Sequence, residues 1–105
     1  MNQAIRQKIF VWFKEYTHSL LRGDNKQRQA IRLKIDHSLR VAQEAVAIGK
    51  SVDLSPEELC LIEMVGLLHD IGRFEQYIRY QTFNDKRSVD HAHLGLAPVV
   101  GEVAR

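Results

Sequence analysis

Apolar residues recur at helical spacing along most of this chain, and the alternation of β-branched residues that marks strands is missing throughout. The first predicted helix runs from about Asn2 to Leu21. Ile5, Ile9, Trp12 or Phe13, Tyr16 and Leu20 form its stripe, and Gly23, Asp24 and Asn25 end it. The second runs from about Asn25 to Ile48 on a stripe of Ile31, Ile35, Ala42, Ala45 and Val46, with Gly49 placed to stop it. The third has the clearest start signal. Ser55 supplies a hydroxyl N-cap, Pro56 the first helical position and Glu58 the glutamate of a capping box. This helix continues through Leu59, Ile62, Met64, Val65, Leu67 and Leu68, apolar on most of its circumference as a central core helix is, and Gly72 is expected to end it. A polar and aromatic stretch from Arg73 to Lys86 follows, with one short helical turn around Glu75 to Tyr80. A last helix begins near Ser88 or Asp90 and runs toward Arg105, bent or interrupted at Pro98.

The pattern predicts an all-α fold, a bundle of about four to five helices forming a single domain over residues 1–105. Neither a linker, an internal repeat nor a low-complexity segment divides it. Leu94, Leu96, Val99, Val100 and Val103 make an apolar face with no following element to cover it. The expected cover is the first helix, another chain as in a homo-oligomer, or a continuation of the protein beyond this segment.

Composition changes this picture little. Hydrophobic residues at 45% and charged residues at 27% are ordinary for a soluble protein and argue against disorder. The net charge of +2 is too small to argue for nucleic acid. Lys26, Arg28, Arg32, Lys34 and Arg40 alternate with apolar residues and read as the solvated side of a helix. The single cysteine, Cys60, forms no internal disulfide, suits a reducing compartment and sits in an apolar helix pattern as a buried structural thiol. No stretch approaches the roughly 20 apolar residues of a membrane span. Near the N-terminus, Lys14, Glu15 and His18 interrupt the apolar run after Lys8, so it is neither signal peptide nor anchor. A cytoplasmic protein without a membrane partner is the expectation.

The chemistry centres on His69 and Asp70. Both lie at the end of a helix that is otherwise almost wholly apolar, where an unpaired imidazole and carboxylate are costly to bury. A divalent ion would pair them, since imidazole nitrogen and carboxylate oxygen suit Zn, Mn, Fe, Co or Ni. Adjacent positions project about 100° apart on a helix, a constraint that relaxes at a helix end. Alternatively, His69 interacts with the helix dipole and Asp70 caps the next turn. His37, in the middle of the second helix, and His91, at the start of the last, offer partners from separate helices, which is how bundles build metal centres. His18 and His93 have weaker claims. The aromatics of the first helix (Phe10, Trp12, Phe13 and Tyr16) read as core, whereas Tyr77, Tyr80 and Phe83 serve either substrate contact or loop packing.

The segment from Leu67 to Arg73, Leu-Leu-His-Asp-Ile-Gly-Arg, resembles the signature of the HD superfamily of metal-dependent phosphohydrolases. That pattern is a histidine, a His-Asp pair and a distant aspartate on a bundle of helices. His37, in Lys-Ile-Asp-His-Ser-Leu-Arg-Val-Ala, matches the first histidine, and His69 and Asp70 match the naming pair. Asp90 to Gly95 resembles the His-x-x-x-Gly element of members that hold a second metal, which falls on His91. Arg73 stands where many relatives carry a basic residue able to approach substrate phosphate. Gly72 to His91, with Arg-Phe-Glu-Gln and Thr-Phe-Asn-Asp, further resembles a bacterial subgroup of HD-domain hydrolases. The likeness covers about Lys34 to Gly95.

The resemblance implies an HD-type helical domain and hydrolysis of a phosphomonoester or phosphodiester by metal-activated water. It implies one or two divalent ions (Mn, Fe, Ni, Co, Zn or Mg) on His37, His69, Asp70 and His91, with Asp70 able to bridge two. Asp70 and Arg73 become the catalytic residues, and Arg73 also binds the substrate, a phosphorylated small molecule or nucleotide. In the family the final metal-binding aspartate comes from a later helix. Beyond Asp90 only Glu102 is acidic, so the chain is expected to be an N-terminal part of a longer protein or the product of a truncated gene, its activity depending on that final aspartate. Asp85 could reach the site from the loop, and Asp36, beside His37, reads as a solvated carboxylate. Two other function classes remain: a non-catalytic module binding a nucleotide or partner, and a helical interaction protein whose histidines are core residues.

Overall fold

In the computed structural model, which describes residues 3–87, 90–95 and 98, the first helix, α1, spans Gln3–Ser19. It buries Phe13 and Thr17, and the Thr17 hydroxyl donates to the Phe13 carbonyl at 2.8 Å, so its burial leaves no unmet donor. Ile5, expected on the buried stripe, is instead 45% exposed. Asp24 then caps α2, Asn25–Ser51, accepting the backbone N–H of Gln27 at 2.8 Å. The chain turns back at Val52 and at Asp53, whose φ is 60°.

Gly49 does not stop α2 as expected; it lies inside it. A Cβ there would meet Ile62 Cδ1 at 2.6 Å and Leu59 Cδ2 at 2.7 Å, so this glycine admits the next helix. That helix, α3, spans Pro56–Leu68 and opens with the expected capping box: Glu58 N–H donates to Ser55 Oγ at 3.2 Å, and Ser55 N–H to Glu58 Oε1 at 2.9 Å. Donation to it from Ser55, chiefly from the backbone N–H and then from the side chain, holds the Glu58 carboxyl below the usual range. Cys60, Met64, Gly66 and Leu67 are buried, the thiol as a core group. A second glycine sets the α2–α3 crossing. A Cβ on Gly66 would lie 3.1 Å from Ala42 Cα and 3.2 Å from the Val41 carbonyl oxygen, both backbone atoms that cannot swing aside.

Gly72 likewise opens a helix rather than ending one. Helix α3 stops at Leu68, one turn follows, and α4 runs over Gly72–Tyr80, longer than the single turn expected. His69 and Ile71, flanking Asp70, both have right-handed helical backbone angles, which is why the chain passes so directly from α3 into α4. A 3-10 turn at Asp85–Arg87 and the one-turn helix α5, His91–Leu94, complete the described elements. The fold is all-α, and no strand occurs among the described residues. Leu96, Val99, Val100, Glu102 and Val103 of the expected last helix lie outside them, as does the side chain of His93.

Phe13, Leu20, Ile31, Ile35, Ala42, Met64, Leu67, Ile71, Phe74 and Tyr77 form one core. Phe13 meets Phe74 edge to face at 6.1 Å, and Trp12 stacks on Tyr16 at 5.3 Å, so the aromatics of α1 pack as expected. Arg6 ties α1 to α3 through a two-pronged pair with Glu63 at 2.5 and 3.0 Å. No helix among the described residues is long and apolar enough to cross a membrane.

Candidate metal centre

Asp70 lies in the turn between α3 and α4, its side chain 14% exposed, and five side chains converge on it. Oδ2 faces His69 Nε2 at 3.2 Å, His37 Nε2 at 3.6 Å and Lys34 Nζ at 4.0 Å. Oδ1 faces His91 Nε2 at 3.1 Å and Arg73 Nε at 3.9 Å. Four segments therefore supply the set: α2 (Lys34, His37), the α3–α4 turn (His69, Asp70), the start of α4 (Arg73) and the start of α5 (His91). Two glycines make the convergence geometrically feasible. Gly66 brings α2 close enough for the His37 and His69 rings to stand 5.6 Å apart. Gly72 brings α5 so near that a Cβ there would sit 1.3 Å from the His91 carbonyl oxygen.

The imidazoles are held in a telling way. His69 Nδ1 lies 2.6 Å from the Gly66 carbonyl oxygen, which can only accept, so Nδ1 carries the proton. The Nε2 of a neutral His69 then turns a lone pair toward a carboxylate oxygen. His91 repeats this arrangement, its Nδ1 lying 3.2 Å from both carboxylate oxygens of Asp85 and its Nε2 facing Asp70. Acceptor facing acceptor is unfavourable unless a proton or a metal cation lies between them. A borderline divalent ion suits these nitrogen and oxygen donors. The residues fit a metal.

Asp85 organises the far side. Its Oδ1 accepts from Gln76 Nε2 at 2.8 Å, Arg73 Nη1 at 3.1 Å and the His91 backbone N–H at 3.2 Å. Partial burial pushes its carboxyl upward, but donation from the His91 backbone and ring, then from Gln76, and the charge of Arg73 outweigh that and hold it below the usual range. Gln76, fully buried, accepts from Arg73 Nη1 at 3.0 Å. The same Arg73 nitrogen donates to the Phe83 carbonyl. Phe83 stacks on the buried Tyr77 at 4.9 Å, and Lys34 Nζ lies 5.1 Å from the Phe83 ring centre. Tyr77 and Phe83 thus pack the loop, while Tyr80 is 40% exposed.

A family model for the HD domain matches residues 35–97. The chain belongs to the HD domain family. That span contains His37, His69, Asp70 and His91. HD domains are mostly hydrolases and typically bind divalent metals. Neither a curated protein nor a solved structure matches the chain.

All of the residues singled out for the site come together in this HD domain: His37, His69, Asp70, Arg73 and His91. His18 is exposed on α1 and belongs to neither of the two groups of metal-competent side chains among the described residues, His37 with His69 and Asp70, and Asp85 with Asp90 and His91. Asp36 is exposed, as a solvated carboxylate is. Lys34, expected on a solvated face, instead reaches Asp70. The spacing carried that signal, since Lys34 precedes His37 by three positions and so shares its helix face. Gln76 and the central place of Asp85 have no local signature.

Proposed function

We propose that this HD domain is a metal-dependent phosphohydrolase acting on a phosphomonoester or phosphodiester of a small molecule or nucleotide. The observation that carries the reading is the convergence of three imidazole Nε2 atoms from three separate segments on the one carboxylate of Asp70. His37, His69, Asp70 and His91 would hold one or two divalent ions among Mn, Fe, Ni, Co, Zn and Mg. Such an ion, when bound, polarises a phosphoryl oxygen and makes water a nucleophile near neutral pH.

The chain's own groups supply the rest. Asp70 offers Oδ2 to His37 and His69 and Oδ1 to His91, an arrangement that suits a carboxylate shared between two ions. Lys34 brings a positive charge to the rim of the site, where it can neutralise phosphoryl oxygens. Arg73 keeps its proposed place beside substrate phosphate through Nε, while Nη1 is committed to Gln76, Phe83 and Asp85.

The test is hydrolysis of p-nitrophenyl phosphate and bis(p-nitrophenyl) phosphate with each divalent ion in turn, together with calorimetric metal titration. The expected result is metal-dependent turnover that Asp70→Ala abolishes and metal uptake that His37→Ala weakens. Uptake without turnover on any ester would favour the non-catalytic binding module. No uptake would leave a helical interaction protein.

A further inference from the structure

His91 is the one imidazole of the centre that comes from a one-turn helix, so its own element does little to orient it. Its ring is fixed instead from the loop before it. Asp85 accepts both from the His91 backbone N–H at 3.2 Å and from ring Nδ1 at 3.2 Å to each carboxylate oxygen. The carboxylate is in turn immobilised by two groups of α4, Arg73 at 3.1 Å and the fully buried Gln76 at 2.8 Å. Gln76 has its own orientation set, since its Oε1 accepts from the same Arg73 nitrogen at 3.0 Å.

We infer that Asp85 is the positioning residue of His91: it holds the proton on Nδ1 and so presents the Nε2 lone pair to a metal beside Asp70. This rests on the metal-centre reading above. An ionised carboxylate only accepts, so the atom facing it must carry hydrogen. Asp70 Oδ1 faces the opposite nitrogen at 3.1 Å and competes for the one proton of a neutral ring. Asp85, however, meets Nδ1 with both oxygens and also holds the His91 backbone N–H, which sets the balance toward the Nδ1–H tautomer. A carboxylate behind an imidazole also raises its strength as a ligand. Asp85 acts through the His91 ring, which faces Asp85 with Nδ1 and Asp70 with Nε2.

The experiment combines nitrogen NMR of the His91 ring with calorimetric titration of Mn2+ alone, on the full chain. At a pH well above the ordinary imidazole range, metal-free wild type is expected to show His91 as Nδ1–H. In Asp85→Asn the side chain can donate or accept, so the Nε2–H form rises. The Mn2+ binding step that His91→Ala removes is expected to weaken ~10- to 100-fold in Asp85→Asn, and steps that survive His91→Ala stay unchanged. Asp85→Glu is expected to restore the Nδ1–H form in part. An Nε2–H ring in the wild type overturns the inference, and so does Asp85→Asn with unaltered tautomer and Mn2+ affinity. Should Asp85→Asn fail to fold by circular dichroism, the wild-type tautomer still decides. A chain that takes up no Mn2+ with His91 in the Nδ1–H form sinks the metal-centre reading while leaving the orientation by Asp85 standing.

Discussion

Gly72 touches His91 backbone to backbone: a Cβ at Gly72 would lie 1.3 Å from the His91 carbonyl oxygen and 2.8 Å from the Gly95 backbone nitrogen. Only hydrogen fits there, and the contact is what holds His91 against Asp70. Gly72→Ala is expected to push α5 off α4, at a cost of about 1–3 kcal/mol for overpacking. The thermal midpoint should fall, and the share of metal affinity that depends on His91 should fall with it. An unchanged titration would mean that α5 is placed by other contacts.

The crossing at Gly66 makes a parallel prediction for the other half of the site. Gly66→Ala drives a methyl group to 3.1 Å from Ala42 Cα, which α2 can relieve only by moving away. A loss of about 1–3 kcal/mol is expected, together with weaker metal binding, because His37 rides on α2 and His69 on the end of α3. The Ala42→Gly change made on top of Gly66→Ala should recover little, since the crowded atoms belong to the backbone.

Lys34 separates substrate contact from metal binding. Lys34→Gln is expected to lower kcat/KM on phosphoesters ~10- to 100-fold, the worth of a charge-assisted bond to phosphate. Metal stoichiometry should stay the same, since an ammonium ligates nothing. Steady-state kinetics beside a metal titration tests this, and unaltered kcat/KM would return Lys34 to the solvated face.

Tyr16 and Ser38 carry hydroxyls that are buried with no hydrogen-bond partner among the described residues. Burial first, then the charge of Glu75, pushes the Tyr16 hydroxyl up to about 12, with Arg79 opposing. Because the folded value is raised, the neutral phenol's contribution is fully present below the unfolded value of about 10 and is lost as pH rises from there toward about 12. Tyr16→Phe should therefore flatten the alkaline limb of the stability profile. At neutral pH it should be neutral or stabilising by up to about 1 kcal/mol, since an unpaired buried hydroxyl is removed. Chemical denaturation at neutral and alkaline pH checks both limbs, and a marked loss at neutral pH would reveal a partner for the hydroxyl.

Local signals account for what the amino-acid sequence determined by itself. Helix starts at Asn25 and Pro56 follow from Asp24 and Ser55, whose side chains bond groups three residues away, and the all-α class follows from apolar spacing within single turns. The site residues His37, His69, Asp70, Arg73 and His91 were legible as a motif of residue types at set spacings. Tertiary structure alone decided the rest. Gly49 and Gly72 look like helix stops from their neighbours and Gly66 carries no local signal, yet each is required by atoms 13 or more residues away: Ile62, His91 and Ala42 respectively. The same holds for the imidazoles. Which nitrogen of His69 or His91 faces Asp70 depends on an acceptor placed behind the ring, the Gly66 carbonyl in one case and the Asp85 carboxylate in the other. Residue type names the donor atoms, but only packing between helices aims them.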